Sequence, residues 1–111
     1  MQFLLLIYEN EKRFSKGYPE SEMAEYQVVG KEYAGLIKGG NALQPTNSAT
    51  SVRVRDGKLV QTDGPFAETK EQLGGFYLID ANTREEAVAM AAKIPAARFG
   101  CIEVRPIMKF S

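Results

Sequence analysis

Phe3-Leu4-Leu5-Leu6-Ile7-Tyr8 is the stretch of this chain that decides the fold. The run is continuously apolar but too short for a typical helix, so it predicts a β-strand that is covered on both faces. Phe76-Tyr77-Leu78-Ile79 is a second run of the same kind. The sequence therefore predicts two buried strands.

A helix is predicted after each buried strand. Pro19 suits the start of the first helix, and Gly35 is placed to end it in a left-handed conformation. Thr83 and Glu86 fit a capping box that leads into an alanine-rich helix, which Pro95 ends. Two helices thus alternate with the strands.

The remaining strands complete a recognisable order. Residues 36–43 predict a strand, Val52-Arg53-Val54-Arg55 and residues 59–62 predict a hairpin around the Asp56-Gly57 turn, and residues 101–105 predict an edge strand. The order is strand, helix, strand, hairpin, strand, helix, strand. We therefore expect an α+β fold, a ferredoxin-like βαββαβ sandwich with an inserted β-hairpin.

Length and composition restrict the class of protein. With 111 residues the chain has room for a single domain, residues 1–111, and 44% hydrophobic with 25% charged residues is typical of a globular protein. Fourteen basic and fourteen acidic side chains cancel, which argues against nucleic acid as a partner. The sequence shows no membrane span and no secretory signal, so we expect a cytoplasmic protein.

The second face of the predicted sheet needs a cover. Two helices cover only one face, yet the run from Leu4 to Ile7 leaves the other face apolar as well. Burial of that face against a second copy would contribute roughly 25 cal/mol per Å² of apolar area, less the costs of association. We expect a sheet-to-sheet homodimer; the alternative is that the hairpin folds back over the face.

Residues 62–79 begin with turn-forming residues, charged side chains and a pair of glycines, and they end in an apolar run. Asp63-Gly64-Pro65-Phe66, followed by Gly74-Gly75-Phe76-Tyr77, is similar to the defining motif of the YCII-related family in its DGPF-domain branch. The resemblance covers nearly the whole chain and extends to residues 8–9, 40–45, 52–57, 95–100 and 103–106.

This resemblance implies a dimeric α/β-barrel built on the ferredoxin-like frame. The family's biochemical role is largely unassigned, and members of the DGPF branch are often encoded beside extracytoplasmic-function sigma factors, which implies a sigma-factor link. The shorter YCII branch resembles this chain but places a His-Asp pair around its first helix. This chain has no histidine, and residues 20–35 hold no aspartate, so that pair does not transfer.

Asp63 and Glu71 are the candidate catalytic residues. A carboxylate on the tight Gly-Pro turn beside Phe66 would be partly desolvated, with its pKa raised toward neutrality, which suits a general base. Aspartate before glycine is equally a turn former that bonds nearby backbone N–H groups. Glu71 precedes paired glycines and would be drawn toward the sheet, although solvated surface charge also explains it.

Further residues are candidates for binding a small molecule. Tyr8 and Glu9 end the first strand, paired glycines permit close backbone approach, and Arg98 would balance an anionic ligand, cap a helix end or pair with Glu103. Cys101 reads as a small buried side chain. The candidate ligand-binding residues are Tyr8, Glu9, Pro65, Phe66, Glu68, Lys70, Gly74, Gly75 and Arg98.

Two classes of function remain open. The absence of histidine excludes Ser-His-Asp and Cys-His systems and histidine-containing zinc sites. We expect no metal and no cofactor, and the alternative is a divalent cation bound by the carboxylates of Glu68 and Glu71. One hypothesis is a cofactor-independent enzyme that uses acid/base carboxylates on a small polar molecule. The other is a non-catalytic dimer that binds a small ligand or a partner protein and serves regulation.

Overall fold

The computed structural model describes residues 1–110 and has the α+β architecture that the sequence predicts. Its strands are β1 (Gln2–Glu9), β2 (Ile37–Ala42), β3 (Thr50–Arg55), β4 (Lys58–Asp63), β5 (Gln72–Asp80) and β6 (Cys101–Pro106). Its helices are α1 (Glu20–Glu32) and α2 (Arg84–Lys93). Short 3₁₀ turns occupy Glu11–Phe14, Thr46–Ser48 and Pro95–Arg98.

Four strands form one antiparallel sheet in the order β2-β5-β1-β6. The two continuous apolar runs lie in β1 and β5, which are the central strands, so each has a neighbour on both sides. This order is that of a ferredoxin-like frame. The predicted fold class is confirmed.

The core lies between the sheet and the two helices. Phe3, Leu5 and Ile7 alternate along β1 as buried side chains, and they pack with Ile79, Met90 and other apolar side chains of the core. Complete burial of a side chain of this size contributes about 1.5–3 kcal/mol relative to exposure. Period-two alternation on β1 therefore decides which side chains hold the helices to the sheet.

The helix ends follow the sequence signals with one exception. Thr83 accepts a hydrogen bond from the Glu86 N–H at 3.1 Å, and the Glu86 carboxylate accepts from the Asn82 N–H at 2.8 Å. The prediction that Gly35 ends α1 in a left-handed conformation is wrong, because Gly35 has no positive φ. The N–H groups of residues 36 and 37 both donate to the Tyr33 carbonyl, and this right-handed turn leads into β2.

The β3–β4 hairpin forms as predicted but stands apart from the four-stranded sheet. Asp56 and Gly57 have φ of 53° and 74°, as a two-residue type I′ turn requires. The hairpin does not fold back over the sheet, since nearly all of its side chains are exposed. The molecule measures 46 × 46 × 19 Å with a radius of gyration of 15.9 Å, whereas a compact chain of this length has about 13 Å.

The face of the sheet that the helices do not cover is apolar along its two central strands. We call it the open sheet face; its apolar side chains are Leu4, Leu6, Leu73, Phe76 and Leu78, all half-buried. Cys101 lies beside this set, opposite Tyr8 in the register. The prediction that Cys101 is buried is wrong, because its side chain faces this uncovered side and is exposed.

None of the helices within residues 1–110 combines the length and the apolar character that a membrane crossing needs.

Candidate functional site

Two buried carboxylates share one guanidinium at the end of β1. Glu9 and Glu22 are 5% and 4% exposed, and burial of a charge is costly unless it is paired. Arg13 lies between them, with Nη1 at 2.6 Å from Glu9 Oε1 and Nη2 at 2.9 Å from Glu22 Oε1. These three residues form the Glu9–Arg13–Glu22 cluster.

Local structure explains how Arg13 reaches Glu9. Asn10 caps the 3₁₀ turn that follows β1: its side chain accepts from the Lys12 N–H at 2.9 Å, and its carbonyl accepts from the Arg13 N–H at 3.1 Å. This turn folds the chain back immediately after the strand. The guanidinium four residues after Glu9 therefore returns to the carboxylate instead of extending into solvent.

Helix α1 supplies Glu22 for a different reason. Pro19 is the N-cap residue, and Glu22 is the third residue of the helix. A glutamate at that position usually accepts a hydrogen bond from the N-cap N–H, which proline lacks. The Glu22 carboxylate is thus free to bond Arg13, and the positive end of the helix dipole stabilises its charge.

The Arg13 guanidinium packs against two phenylalanine rings. The Arg13 guanidinium carbon lies 3.7 Å from the centre of the Phe99 ring and 5.1 Å from that of Phe14. Such cation–π contacts favour Arg13 in one position. Gly100 makes this approach possible, because a Cβ at residue 100 would lie 2.9 Å from Glu9 Cα.

Two tyrosines extend the aromatic group beside the cluster. The Phe14 and Tyr18 rings are stacked with centroids 4.5 Å apart, and Tyr26 lies 6.2 Å from Tyr18. Burial raises the pKa of Tyr18 and of Tyr26, and the neighbouring Tyr18 raises the pKa of Tyr26 further. Both phenols therefore stay protonated near neutral pH.

The electrostatics of the cluster are unbalanced. Burial raises the pKa of Glu9 above its ordinary value; Arg13 opposes the rise, while the charges of Glu22 and Glu71 add to it. Glu22 Oε2 is buried and has no hydrogen-bond partner within residues 1–110. One guanidinium thus pairs with two carboxylates, and one buried carboxylate oxygen, Glu22 Oε2, has no hydrogen-bond donor within residues 1–110.

This arrangement suits proton transfer to or from a small molecule. A carboxyl group whose pKa is raised above its ordinary value takes up a proton more readily at physiological pH. The excess negative charge favours a ligand that donates hydrogen bonds or carries positive charge. Across residues 1–110, no three acidic or cysteine side chains converge as a metal site requires.

The two predicted catalytic residues are placed differently. Asp63 ends β4 in the exposed hairpin, opposite Thr50, and its carboxylate makes no hydrogen bond or ion pair in the described part of the chain. Glu71 is exposed, yet its charge acts on Glu9. Only Glu71 therefore approaches the cluster.

The motif loop forms an open groove of about 320 Å³ instead of a closed pocket. Its lining includes two of the predicted ligand-binding residues, Pro65 and Glu68, whereas Phe66 is 81% exposed and Lys70 points to solvent. Glu11 and Gln72 link this loop to the end of β1, because the Glu11 N–H donates to Gln72 Oε1 at 2.9 Å. The other groove residues are Thr46, Asn47, Ala67, Thr69 and Gln72.

Strand geometry separates other predicted site residues. Tyr8 and Glu9 are consecutive in β1, so Tyr8 lies on the open sheet face and Glu9 on the helix side. Gly74 and Gly75 lie within β5, and a Cβ at Gly75 would lie 3.0 Å from the Asn41 carbonyl oxygen. The close approach at Gly75 is therefore to the neighbouring strand.

Arg98 pairs with a residue that the sequence did not suggest. Its guanidinium lies 2.7 Å from the Glu25 carboxylate on α1, and both side chains are largely exposed. Glu103 instead lies 3.7 Å from Arg105 on the same strand. Arg98 thus joins the turn before β6 to helix α1.

Sequence reasoning missed Arg13, Glu22, Tyr18 and Tyr26. Two signals were present: a basic residue four positions after a carboxylate that ends a buried strand, and a glutamate at the third position of a helix whose N-cap is proline. Neither signal shows that the two carboxylates meet. That meeting depends on how the irregular segment between β1 and α1 folds.

Comparisons with known proteins identify the family of this chain. The family model described as YCII-related domain matches residues 1–111. The chain is also similar to the uncharacterized protein R00369 of Rhizobium meliloti (strain 1021), with 39% identity over 114 residues. That similarity covers 96% of this chain and 92% of the relative.

Proposed function

This chain belongs to the YCII-related domain family, and on that premise we propose that it is a cofactor-independent enzyme of small polar molecules. The Asp63-Gly64-Pro65-Phe66 motif supports assignment to the DGPF branch. The reaction class is proton transfer as it occurs in a lyase, isomerase or hydrolase. We place the enzyme in the cytoplasm.

The single observation that carries this proposal is the open acceptor at Glu22 Oε2 in a cluster with excess negative charge. A buried carboxylate oxygen without a partner is costly, and a substrate that donates a hydrogen bond would satisfy it. Anions would be repelled by the two carboxylates. The substrate is therefore a neutral or cationic molecule with an O–H or N–H group.

The roles of the cluster residues follow from their charges. Glu9 takes the proton from the substrate and returns it, because its raised pKa brings its two protonation states closer in free energy at neutral pH. Arg13 stays protonated and fixes both carboxylates. Tyr18 donates a hydrogen bond at the rim, and Glu71 helps to keep the pKa of Glu9 high.

Turnover of a bacterial metabolite extract tests the enzyme proposal. The protein is incubated with the extract, and compounds consumed or formed are measured by mass spectrometry. We expect Glu9→Gln to reduce turnover by about 10²-fold or more, the usual contribution of a general base. Asp63→Asn is the comparison, since this exposed carboxylate lies on the hairpin. Full turnover by Glu9→Gln would contradict the assigned role.

A second candidate is a non-catalytic module that binds a small ligand and serves regulation. The absence of the His-Asp pair of the shorter YCII branch favours it, because no side chain here titrates near neutrality without a perturbed pKa. A thermal-shift screen with the same extract separates the candidates: a stabilising compound recovered unaltered supports binding, and a converted one supports catalysis. If the partner is a sigma factor, the sigma factor encoded beside this protein should be retained by it in a pull-down.

We also propose that the protein is a homodimer in which two open sheet faces pack together. The half-buried leucines and Phe76 on that face remain in contact with water in the single chain. Their removal from water is favourable, and zero net charge provides little repulsion between copies. A sedimentation mass of one chain at micromolar concentration would contradict this pairing.

A further inference from the structure

The β3–β4 hairpin is an unsupported two-stranded ribbon. All of its hydrogen-bonded strand pairing is internal, between β3 and β4, and nearly every side chain is exposed. An isolated hairpin of this kind is marginally stable in water and needs packing on one face. The hairpin therefore lacks a surface that would hold it.

Both faces of the ribbon carry exposed apolar groups. Val52, Val54 and Leu59 share one face and are 58%, 61% and 65% exposed. On the other face Val60 and the neighbouring Phe66 border a shallow groove of about 210 Å³, and Phe66 is 81% exposed. Clustered exposed apolar side chains of this kind mark an interaction surface.

We propose that β3, β4 and Phe66 form an arm that packs against a second copy of this chain. This inference rests on the sheet-to-sheet dimer proposed above and adds a second contact to it. Each copy would extend its arm along its partner, so the two arms bury equivalent surfaces. A two-fold dimer makes both contacts at once.

The area required by a stable dimer supports a second copy as the occupant. A standard interface buries about 800 Å² per partner, of which about 500 Å² is apolar. The half-buried side chains of the open sheet face are each only partly exposed, so this face alone supplies part of that area. Val52, Val54, Leu59, Val60 and Phe66 add on the order of 500 Å².

Charge also favours the same occupant. Over residues 50–63 the arm has three cations, Arg53, Arg55 and Lys58, and two anions, Asp56 and Asp63, which leaves one excess positive charge. Because the chain has fourteen basic and fourteen acidic residues, the remainder carries one excess negative charge. An arm therefore meets a body of opposite charge on the partner.

The base of the arm is closed by hydrogen bonds between its two ends. The Gly64 N–H donates to the Ala49 carbonyl at 2.6 Å, and the Ser51 hydroxyl donates to the Gly64 carbonyl at 2.8 Å. Gly64 has φ of 97°, which a residue with a side chain rarely adopts. The ends of β3 and β4 are thus held together, so less of the arm has to be ordered on docking.

Sedimentation of arm variants tests the proposal. The triple variant Val52→Thr, Val54→Thr, Leu59→Thr keeps β-branched or strand-compatible side chains but lowers apolar area, and we expect the dimer Kd to rise by more than about tenfold. Val28→Thr is the matched control, since Val28 is 60% exposed on α1, and its Kd should stay within about twofold.

Leu6→Thr on the open sheet face separates the two proposals. If Leu6→Thr weakens the dimer and the arm triple does not, the arm inference is overturned and the sheet pairing stands. If the unaltered protein is a monomer, the sheet pairing fails and the arm inference fails with it. Weakening by both variants supports both contacts.

Cross-linking gives a second readout that does not depend on variants. Light and ¹⁵N-labelled chains are mixed, and amine cross-links from Lys58 near the arm tip are identified by mass spectrometry. We expect Lys58 to form mixed-isotope links, which join two different chains. Links from Lys58 within one chain only would overturn the proposal.

Discussion

Arg13 is the side chain on which the buried carboxylates depend. It is the cation bonded to both Glu9 and Glu22, and 26% of its side chain remains exposed against 6% for each glutamate. Loss of one partner from a buried ion pair leaves the other charge uncompensated, which costs more than loss of an exposed pair.

We expect Arg13→Ala to lower the free energy of unfolding by about 2–3 kcal/mol at neutral pH, less than for a fully buried pair because Arg13 is partly exposed. Urea denaturation at pH 7 measures this change. Arg98→Ala is the control, because Arg98 pairs with Glu25 at an exposed position, and the free energy of unfolding should hardly change. Equal effects of the two substitutions would contradict this account.

The raised pKa of Glu9 predicts how the stability of the protein depends on pH. Burial raises its pKa above the ordinary 4.5, so the folded protein binds more protons than the unfolded chain between these two values. The contribution of Glu9 is therefore fully present below about pH 4.5 and is lost as pH rises through the raised pKa. Glu9→Gln removes this titration.

We expect the stability of Glu9→Gln relative to the unaltered protein to increase between pH 4.5 and pH 8, as measured by urea denaturation across that range. Glu25→Gln is a suitable control, since the Glu25 side chain is 42% exposed and pairs with Arg98 instead of with the cluster. A difference that falls with pH would show that the pKa of Glu9 is lowered by folding.

The turn between α2 and β6 positions the aromatic side of the cluster. Pro95 follows the end of α2, the 3₁₀ turn Pro95–Arg98 comes next, and Phe99 then lies over Arg13. Gly100 lets this segment approach the end of β1, where a Cβ would contact the Tyr8 carbonyl oxygen and Glu9 Cα. Backbone atoms on both sides leave little room to adjust.

We expect Gly100→Ala to cost about 1–3 kcal/mol of stability and to disturb the Phe99–Arg13 contact, because the added methyl group forces the two segments apart. Thermal unfolding measures the loss. Gly74→Ala is the matched control within β5, since a Cβ there has no neighbour within 4 Å. If both variants were equally stable, the approach at Gly100 would not be tight.

The single chain is flat and leaves two of its surfaces uncovered. The open sheet face lies on one side of the four-stranded sheet, and the arm extends beyond it, giving extents of 46 × 46 × 19 Å. Cys101 lies on the open sheet face, opposite Tyr8. Its thiol therefore reports on whether that face is covered.

We expect the reaction of Cys101 with a thiol reagent to slow as protein concentration rises, because the proposed dimer buries the thiol. The rate is followed by the absorbance of the released product. In Leu6→Thr the rate should be faster and nearly independent of concentration. A rate that does not vary with concentration in the unaltered protein, at concentrations where sedimentation shows a dimer, would place Cys101 outside the interface.

Local patterns in the chain were sufficient for the elements and their order. Apolar runs gave the two central strands, the Asp56-Gly57 pair gave the hairpin turn, and Thr83 with Pro95 gave the bounds of α2. These signals succeed because side-chain alternation, turn geometry and capping each depend on residues a few positions apart. The motif loop was likewise visible, although β5 extends into it and contains both glycines.

The Glu9–Arg13–Glu22 cluster could be found only from the folded chain. Glu9 and Glu22 are thirteen positions apart, and no periodicity carries through the irregular segment between them. Their encounter depends on the path of that segment, on a helix start without a usable cap, and on the approach of Phe99 across Gly100. Long-range packing fixes all three, so the tertiary structure places the buried charges where a local pattern cannot.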